Sequence, residues 1–316
     1  MNKDTENQAI KSLEKVALAG IEEQRRARRW GIFFKIAFLL WGMLLLIGVI
    51  GSIASQGKVL TTAKAFTAVV DVKGVIMDGA DASYTQVTSA LRDAYDDSRT
   101  KGVVLRINSP GGSAVQSAMI YDEIKRLRTE HKDIPVYAVI QDVGASGGYY
   151  IAAAADKIFA NPSSIVGSIG VRLDSYGVMD AAKKLGIESR TLSAGEHKTI
   201  LDPFKPVSDA EKAHLKTLLT STHEQFISAV KRGRGDRLQD NPDIFSGLFW
   251  NGGKAKELGL VDGFKTTREV AKELVKAEEI IKFNKEKTLL DKLAGKVSSS
   301  VSNILLGTEL VQGIRY

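Results

Sequence analysis

The chain has 316 residues, no cysteine and a formal net charge of +7. That length accommodates one large or two ordinary domains, and 44% hydrophobic with 26% charged residues describes a globular chain rather than a disordered one. The lack of cysteine excludes disulfide frameworks, thiol nucleophiles and thiolate-bound zinc or iron–sulfur centres.

Residues 1–35 form a charge-rich N-terminal segment with helical, amphipathic character. It contains Arg25, Arg26, Arg28 and Arg29 just before an apolar run. Ile36 to Ala54 is 19 residues without a charge, close to the ~20 that span a hydrocarbon core. The run exceeds the apolar part of a secretory signal and begins too late for one, so it reads as an uncleaved anchor in contact with membrane lipid. The arginines place the N-terminus in the cytoplasm and the remainder outside. Residues 1–56 carry eight Lys/Arg against five Asp/Glu, leaving only +4 for the other 260 residues. No basic patch interleaved with aromatics stands out, so nucleic acid is not an expected partner.

Residues 55–65 are a polar linker, and the pattern beyond them alternates strands with helices. Phe66–Ile76, Gly102–Ile107 and Pro135–Val143 read as strands rich in β-branched residues. Ser83–Ser98 and Ser113–Glu130 have helical apolar spacing. Gly144–Gly148 reads as a break after the third strand, with an alanine-rich helix over Tyr149–Ala155. Asp209–Val230 and Thr266–Glu279 read as further helices, followed by a strand at Ile280–Phe283. The basic run Lys231–Arg237 reads as a solvated helix end. These elements place one α/β domain over residues 66–285 and an amphipathic tail over 286–316. Alternating elements of this kind build a mainly parallel sheet with packed helices, the ligand crevice lying at the carboxyl ends of the strands.

Two glycine turns follow strands. Gly144-Ala145-Ser146-Gly147-Gly148 matches G-x-S-x-G, which lifts a serine onto a tight strand-to-helix turn where free N–H groups face an oxyanion. Ser109-Pro110-Gly111-Gly112 offers backbone donors at a second strand end. Either can also be a plain helix-starting turn. A serine nucleophile needs a base. The histidines are His131, His197, His214 and His223, none of them between Ser146 and His197. A lysine base is the alternative, and it must be neutral, which takes on the order of 4–5 kcal/mol of differential stabilisation. Spacing alone does not choose among the lysines.

At this point a family resemblance is evident. From Phe66 to about Phe264 the chain resembles the single-domain bacterial signal peptide peptidase A family. Its landmarks run in family order: Arg106–Gly112, Ala145–Tyr150, Ala155–Ile158, Gly167–Val171, Ser193–Lys198, Gly233–Gly235 and Lys256–Asp262. The resemblance implies a ClpP/crotonase-like α/β fold behind one transmembrane helix, and a serine endopeptidase that uses no cofactor or metal. In it Ser146 matches the nucleophile, Lys198 the general base and Ser168 the hydroxyl that orients the lysine. The backbone N–H groups of Gly112 and Gly147 match the oxyanion donors. The implied substrates are cleaved signal peptides and other unfolded apolar segments. The implied assembly is a homo-oligomer in which Ser146 of one protomer meets Lys198 of its neighbour. Two rivals remain: an α/β-hydrolase-type esterase with His214 or His223 as base, and a non-catalytic membrane scaffold of the same fold.

Overall fold

The computed structural model describes residues 25–26, 28–48, 65–284 and 314–315. The chain divides into two units, Met1–Thr62 and Ala63–Tyr316. In the first, Arg28–Gly48 is a 21-residue helix, α1, with none of its apolar window buried. By length and composition it can cross a membrane. Residues 49–54 of the expected anchor, most of the N-terminal segment and most of the tail lie outside the described residues.

The second unit is α/β. Its strands are β1 (Phe66–Lys73), β2 (Thr100–Ser109), β3 (Val136–Ala145), β4 (Lys157–Ala160), β5 (Ile165–Gly167), β6 (Arg172–Leu173), β7 (Phe249–Asn251), β8 (Gly263–Phe264), β9 (Ile280–Lys282) and β10 (Ile314–Arg315). Its helices are α2 (Tyr84–Asp96), α3 (Ala114–Glu130), α4 (Gly147–Ala152), α5 (Met179–Lys184), α6 (Asp209–Arg234), α7 (Gly252–Glu257) and α8 (Thr267–Glu269). The main sheet runs β7-β5-β3-β2-β1-β9, with β4 also on β3 and β8 on β4. All its pairings are parallel except β5 with β7. The expected mainly parallel sheet is therefore present.

Strands buried on both faces are near-continuous apolar runs, and β1 and β2 conform. The larger core joins one face to α2, α3, α4 and α6 through Val70, Leu91, Leu105, Ile124, Ile140 and Phe226. The other face, with Val69, Val104, Val139 and Phe159, is covered by Val270, Val275 and Ala277. Side chains alternate along each strand, so neighbouring residues feed opposite cores.

Several boundaries differ from expectation for identifiable reasons. β3 runs through Gly144 to Ala145, because a glycine there lets the Ile140 side chain pack against the backbone, a Cβ falling 2.7 Å from it. α4 therefore starts at Gly147 and ends at Ala152. The expected helix Thr266–Glu279 is one α-turn followed by a π-turn over Val270–Val275, stopped by Lys276 in the left-handed conformation (φ 60°). α6 extends one turn past Val230, from a capping box at Ser208 and Glu211 to Gly235. Gly233 lets α6 approach α4, since any Cβ there would strike the Ala153 carbonyl.

The basic run at the end of α6 is solvated except at Arg234, which is 1% exposed and corrects that expectation. Its guanidinium grips Asp262 in a fork of 2.8 and 3.0 Å, and its Nε donates to Gly259 O at 2.9 Å. Burial alone would raise the Asp262 pKa. The hydrogen bond from Arg234, the Ile158 N–H and the charges of Arg234 and Arg237 outweigh it and hold the carboxyl below its usual range.

A second ion cluster clamps α2 to α3. Glu123, 8% exposed, accepts from Arg92 (2.6 Å) and from Arg126 (2.8 and 2.9 Å). The Arg126 hydrogen bond is the largest effect; burial opposes it, Arg92 reinforces it, and the pKa is lowered to about 2. A carboxylate depressed in this way stabilises the fold above its unfolded pKa and ceases to do so as pH falls through the folded value. With both arginines half exposed, Glu123→Gln is expected to cost about 1–2 kcal/mol near neutral pH. In denaturant titrations the deficit shrinks as pH approaches about 2; a deficit independent of pH would rule out the charge as its source.

Candidate active site

Ser146 stands where β3 ends and α4 begins, and it is 5% exposed. Its φ of 53° and ψ of −124° lie in a sparsely populated region for a residue with a Cβ. Two bonds hold it there. Its N–H donates to Gly167 O (2.8 Å), and its carbonyl accepts from Tyr150 N (2.9 Å). Tyr149 anchors the same turn through its hydroxyl to Leu260 O at 2.7 Å. Tyr150 packs between Phe226 and Tyr121, and burial pushes its phenol up to about 12.

The two glycine turns meet at this serine. A Cβ on Gly111 would lie 2.7 Å from Ser146 Cβ, 2.8 Å from Gly147 N and 3.0 Å from Ser146 Oγ. Any side chain there would displace the hydroxyl, so glycine is required by close approach as well as by its φ of 101°. From the sequence Gly111 stood only as part of the Ser109–Gly112 turn, and its close approach to the serine was not foreseen. Gly112 sits in a bridge to Ile76: Ile76 N–H donates to Gly111 O (2.9 Å) and Ser113 N–H to Ile76 O (2.7 Å). That pattern leaves Gly112 N–H without a partner among the described residues. Gly147 N–H belongs to the first turn of α4, where no intrahelical acceptor exists. Two unclaimed donors thus lie on the two turns that meet at this serine.

Ser168 is in register with Ser146, one residue beyond the Ala145–Gly167 pair of β3 and β5. It too has a positive φ, 52°, and its N–H donates to Leu248 O at 2.7 Å. Lys198 is placed differently. It lies exposed in a run of turns, its N–H bonded to Gly195 O at 3.2 Å. Among the described residues its side chain has no hydrogen-bond or ion-pair partner, and none joins it to Ser146 or Ser168. The register of β3 and β5 and the close approach of Gly111 thus bring the Ser146, Ser168 and Gly111–Gly112 turns together, whereas no bond ties Lys198 to them among the described residues.

The segment around Lys198 has almost no core of its own. From 171 to 208 most residues are exposed, with Tyr176 at 80%, Leu185 at 76% and Leu192 at 97%. Within α5 only Ala182 is buried.

No imidazole bonds to Ser146 among the described residues. His131 ends α3 and its ring lies 4.9 Å from that of Tyr95. His197 faces Glu211 at 3.9 Å. His223 is half-buried, with Nε2 2.9 Å from Ile169 O, and His214 is exposed on the same helix.

A profile of Peptidase family S49 matches residues 128–280, and one of Clp protease matches residues 69–167. A Brucella abortus protein named Na(+)/H(+) antiporter NhaA is 45% identical over 205 residues, covering 63% of this chain. The chain spans only 28% of that protein's length. Putative protease MJ0651 of Methanocaldococcus jannaschii is 34% identical over 71% of this chain and 74% of its own. Putative signal peptide peptidase SppA of Enterococcus faecium is 30% identical over 66% of this chain and 62% of its own.

Proposed function

The chain belongs to peptidase family S49, and on that footing we propose that it is a membrane-anchored serine endopeptidase working through Ser146 and Lys198. The observation that carries this reading is the meeting of the strained Ser146 turn with two unclaimed N–H groups. A turn that only started a helix would need neither the strain nor a second glycine loop against its hydroxyl.

In the proposed reaction the neutral amine of Lys198 takes the Ser146 proton and Oγ attacks the peptide carbonyl. The resulting oxyanion accepts hydrogen bonds from Gly112 and Gly147. The tetrahedral intermediate collapses as the lysine ammonium protonates the leaving amine, and an ester on Ser146 remains. Water, deprotonated by the same lysine, then attacks the ester and restores the serine. Ser168, beside the nucleophile in register, hydrogen-bonds the lysine and orients it.

Lys198 reaches Ser146 from a neighbouring protomer. The exposed apolar residues of 171–208 support this, since a second copy would cover them and supply the desolvation that a neutral lysine needs. The substrates are cleaved signal peptides and other unfolded apolar segments. The apolar helix α1 holds the enzyme at the membrane where such remnants lie, with the catalytic domain on the extracytoplasmic side.

Co-assembling Ser146→Ala with Lys198→Ala tests the shared site. Each variant alone should be inactive, and the mixture should regain part of the wild-type hydrolysis of an unfolded protein. Absence of recovery at wild-type oligomer size points to a site within one chain. Absence of Ser146 labelling by a fluorophosphonate in the assembled wild type points to a scaffold.

A further inference from the structure

A second polar recess lies at the opposite end of β3 from the nucleophile. It is a notch of about 290 Å³ between the last turn of α3 and the start of β4, lined by Lys125, Arg128, Thr129, Lys132 and Asp156 among others. Pro135, one of its lining residues, precedes β3, whereas Ser146 follows it. Ten strand residues separate the two by about 30 Å.

The notch holds three cations against one carboxylate, and that carboxylate is already committed. Asp156 pairs with Arg128 through one oxygen and accepts from Val136 N–H at 2.8 Å through the other. Arg128 also donates to Ala154 O at 2.5 Å. The side chains of Lys125 and Lys132 have no hydrogen-bond or ion-pair partner among the described residues. Arg232, exposed and set 6.0 Å over the Tyr121 ring, pairs with no carboxylate there either. Burial, then the charges of Arg128 and Arg232, lower the Lys125 pKa. The Tyr95 hydroxyl, buried and without a partner among the described residues, lies within the field of Arg128. The C-terminal end of α3 contributes a partial negative charge of about half a unit, which leaves the notch positive.

Cations held together without counter-charge repel one another, and an anion with several oxygens relieves the repulsion while using their donors. The recess exceeds a bare phosphate and leaves room for a small substituent. We propose that this notch binds a phosphate ester, offered either by a soluble metabolite or by a phospholipid head group.

The test uses the full chain in phosphatidylcholine nanodiscs, its unfolding temperature followed during titration with glycerol 3-phosphate against chloride at equal ionic strength. A saturable rise of about 2–4 °C is expected. In the double variant Lys125→Gln/Lys132→Gln, which breaks no bond among the described residues, half-saturation should move up by at least about tenfold, or 1.4 kcal/mol. Hydrolysis should be unchanged. In a second arm phosphatidylglycerol replaces part of the phosphatidylcholine and no soluble ester is added. A rise there that the double variant lacks identifies the head group as the source; a rise with the soluble ester alone identifies the metabolite. Equal responses of wild type and double variant in both arms, or no response in either, overturn the proposal.

Discussion

Ser146→Ala is expected to lower kcat for peptide hydrolysis by about 10⁴–10⁶ while leaving the fold intact. The hydroxyl makes no hydrogen bond among the described residues, and the two bonds that hold this turn are backbone bonds that alanine retains. Alanine also tolerates the positive φ no worse than serine, so thermal unfolding should shift little. Lys198→Ala should cause a loss of the same order, because a nucleophile and its base act as a unit. Single-turnover assays on an unfolded protein, with oligomer size checked in parallel, measure both. Retention of most activity by Lys198→Ala would falsify the dyad. Loss of activity in His214→Ala or His223→Ala, with assembly intact, would support the esterase alternative instead.

Arg234→Ala carries the largest expected effect on stability, about 3–5 kcal/mol, because it strands Asp262 beside the β4 terminus without its fork. Unfolding by denaturant or heat reads that loss. Arg234→Met combined with Asp262→Leu removes both charges and keeps most of the volume, and it should recover a large part of the deficit. A cost below about 1 kcal/mol for Arg234→Ala would mean the pair behaves as a surface ion pair.

How far these features could be read from the sequence depended on how local their causes are. The long strands were legible because both of their faces are buried, and burial writes a continuous apolar run. The Ser146 turn was legible for a similar reason: its strain demands small neighbours within two residues. Lys198 was not legible from its surroundings. Its segment buries little of itself among the described residues, so no periodicity marks it, and only family landmarks single it out. Arg234 was misread because its partner Asp262 lies 28 residues further on and nothing beside it signals burial. The helix expected over Thr266–Glu279 failed at a residue with no sequence signature, since a lysine in the left-handed conformation is fixed by tertiary contacts. Gly144 was read as a break because glycine disfavours strands on average; here the Ile140 side chain needs the space it leaves.

The pairing of β1 with β9 has a consequence for how the domain comes into being. Thr67 and Val69 lie against Ile280 and Lys282, Phe66 stacks on Phe283, and Asp71 exchanges two hydrogen bonds with Asn284. In chain order β1 is the first strand of the main sheet, and it is flanked on its outer side by a strand some 200 residues later. Until residues 277–284 arrive, β1 keeps a row of backbone donors and acceptors open to any passing strand. A nascent chain led by its anchor would therefore leave the ribosome with that edge uncovered. Completion of the main sheet waits for residues 280–282, and until then the uncovered edge is open to mispairing.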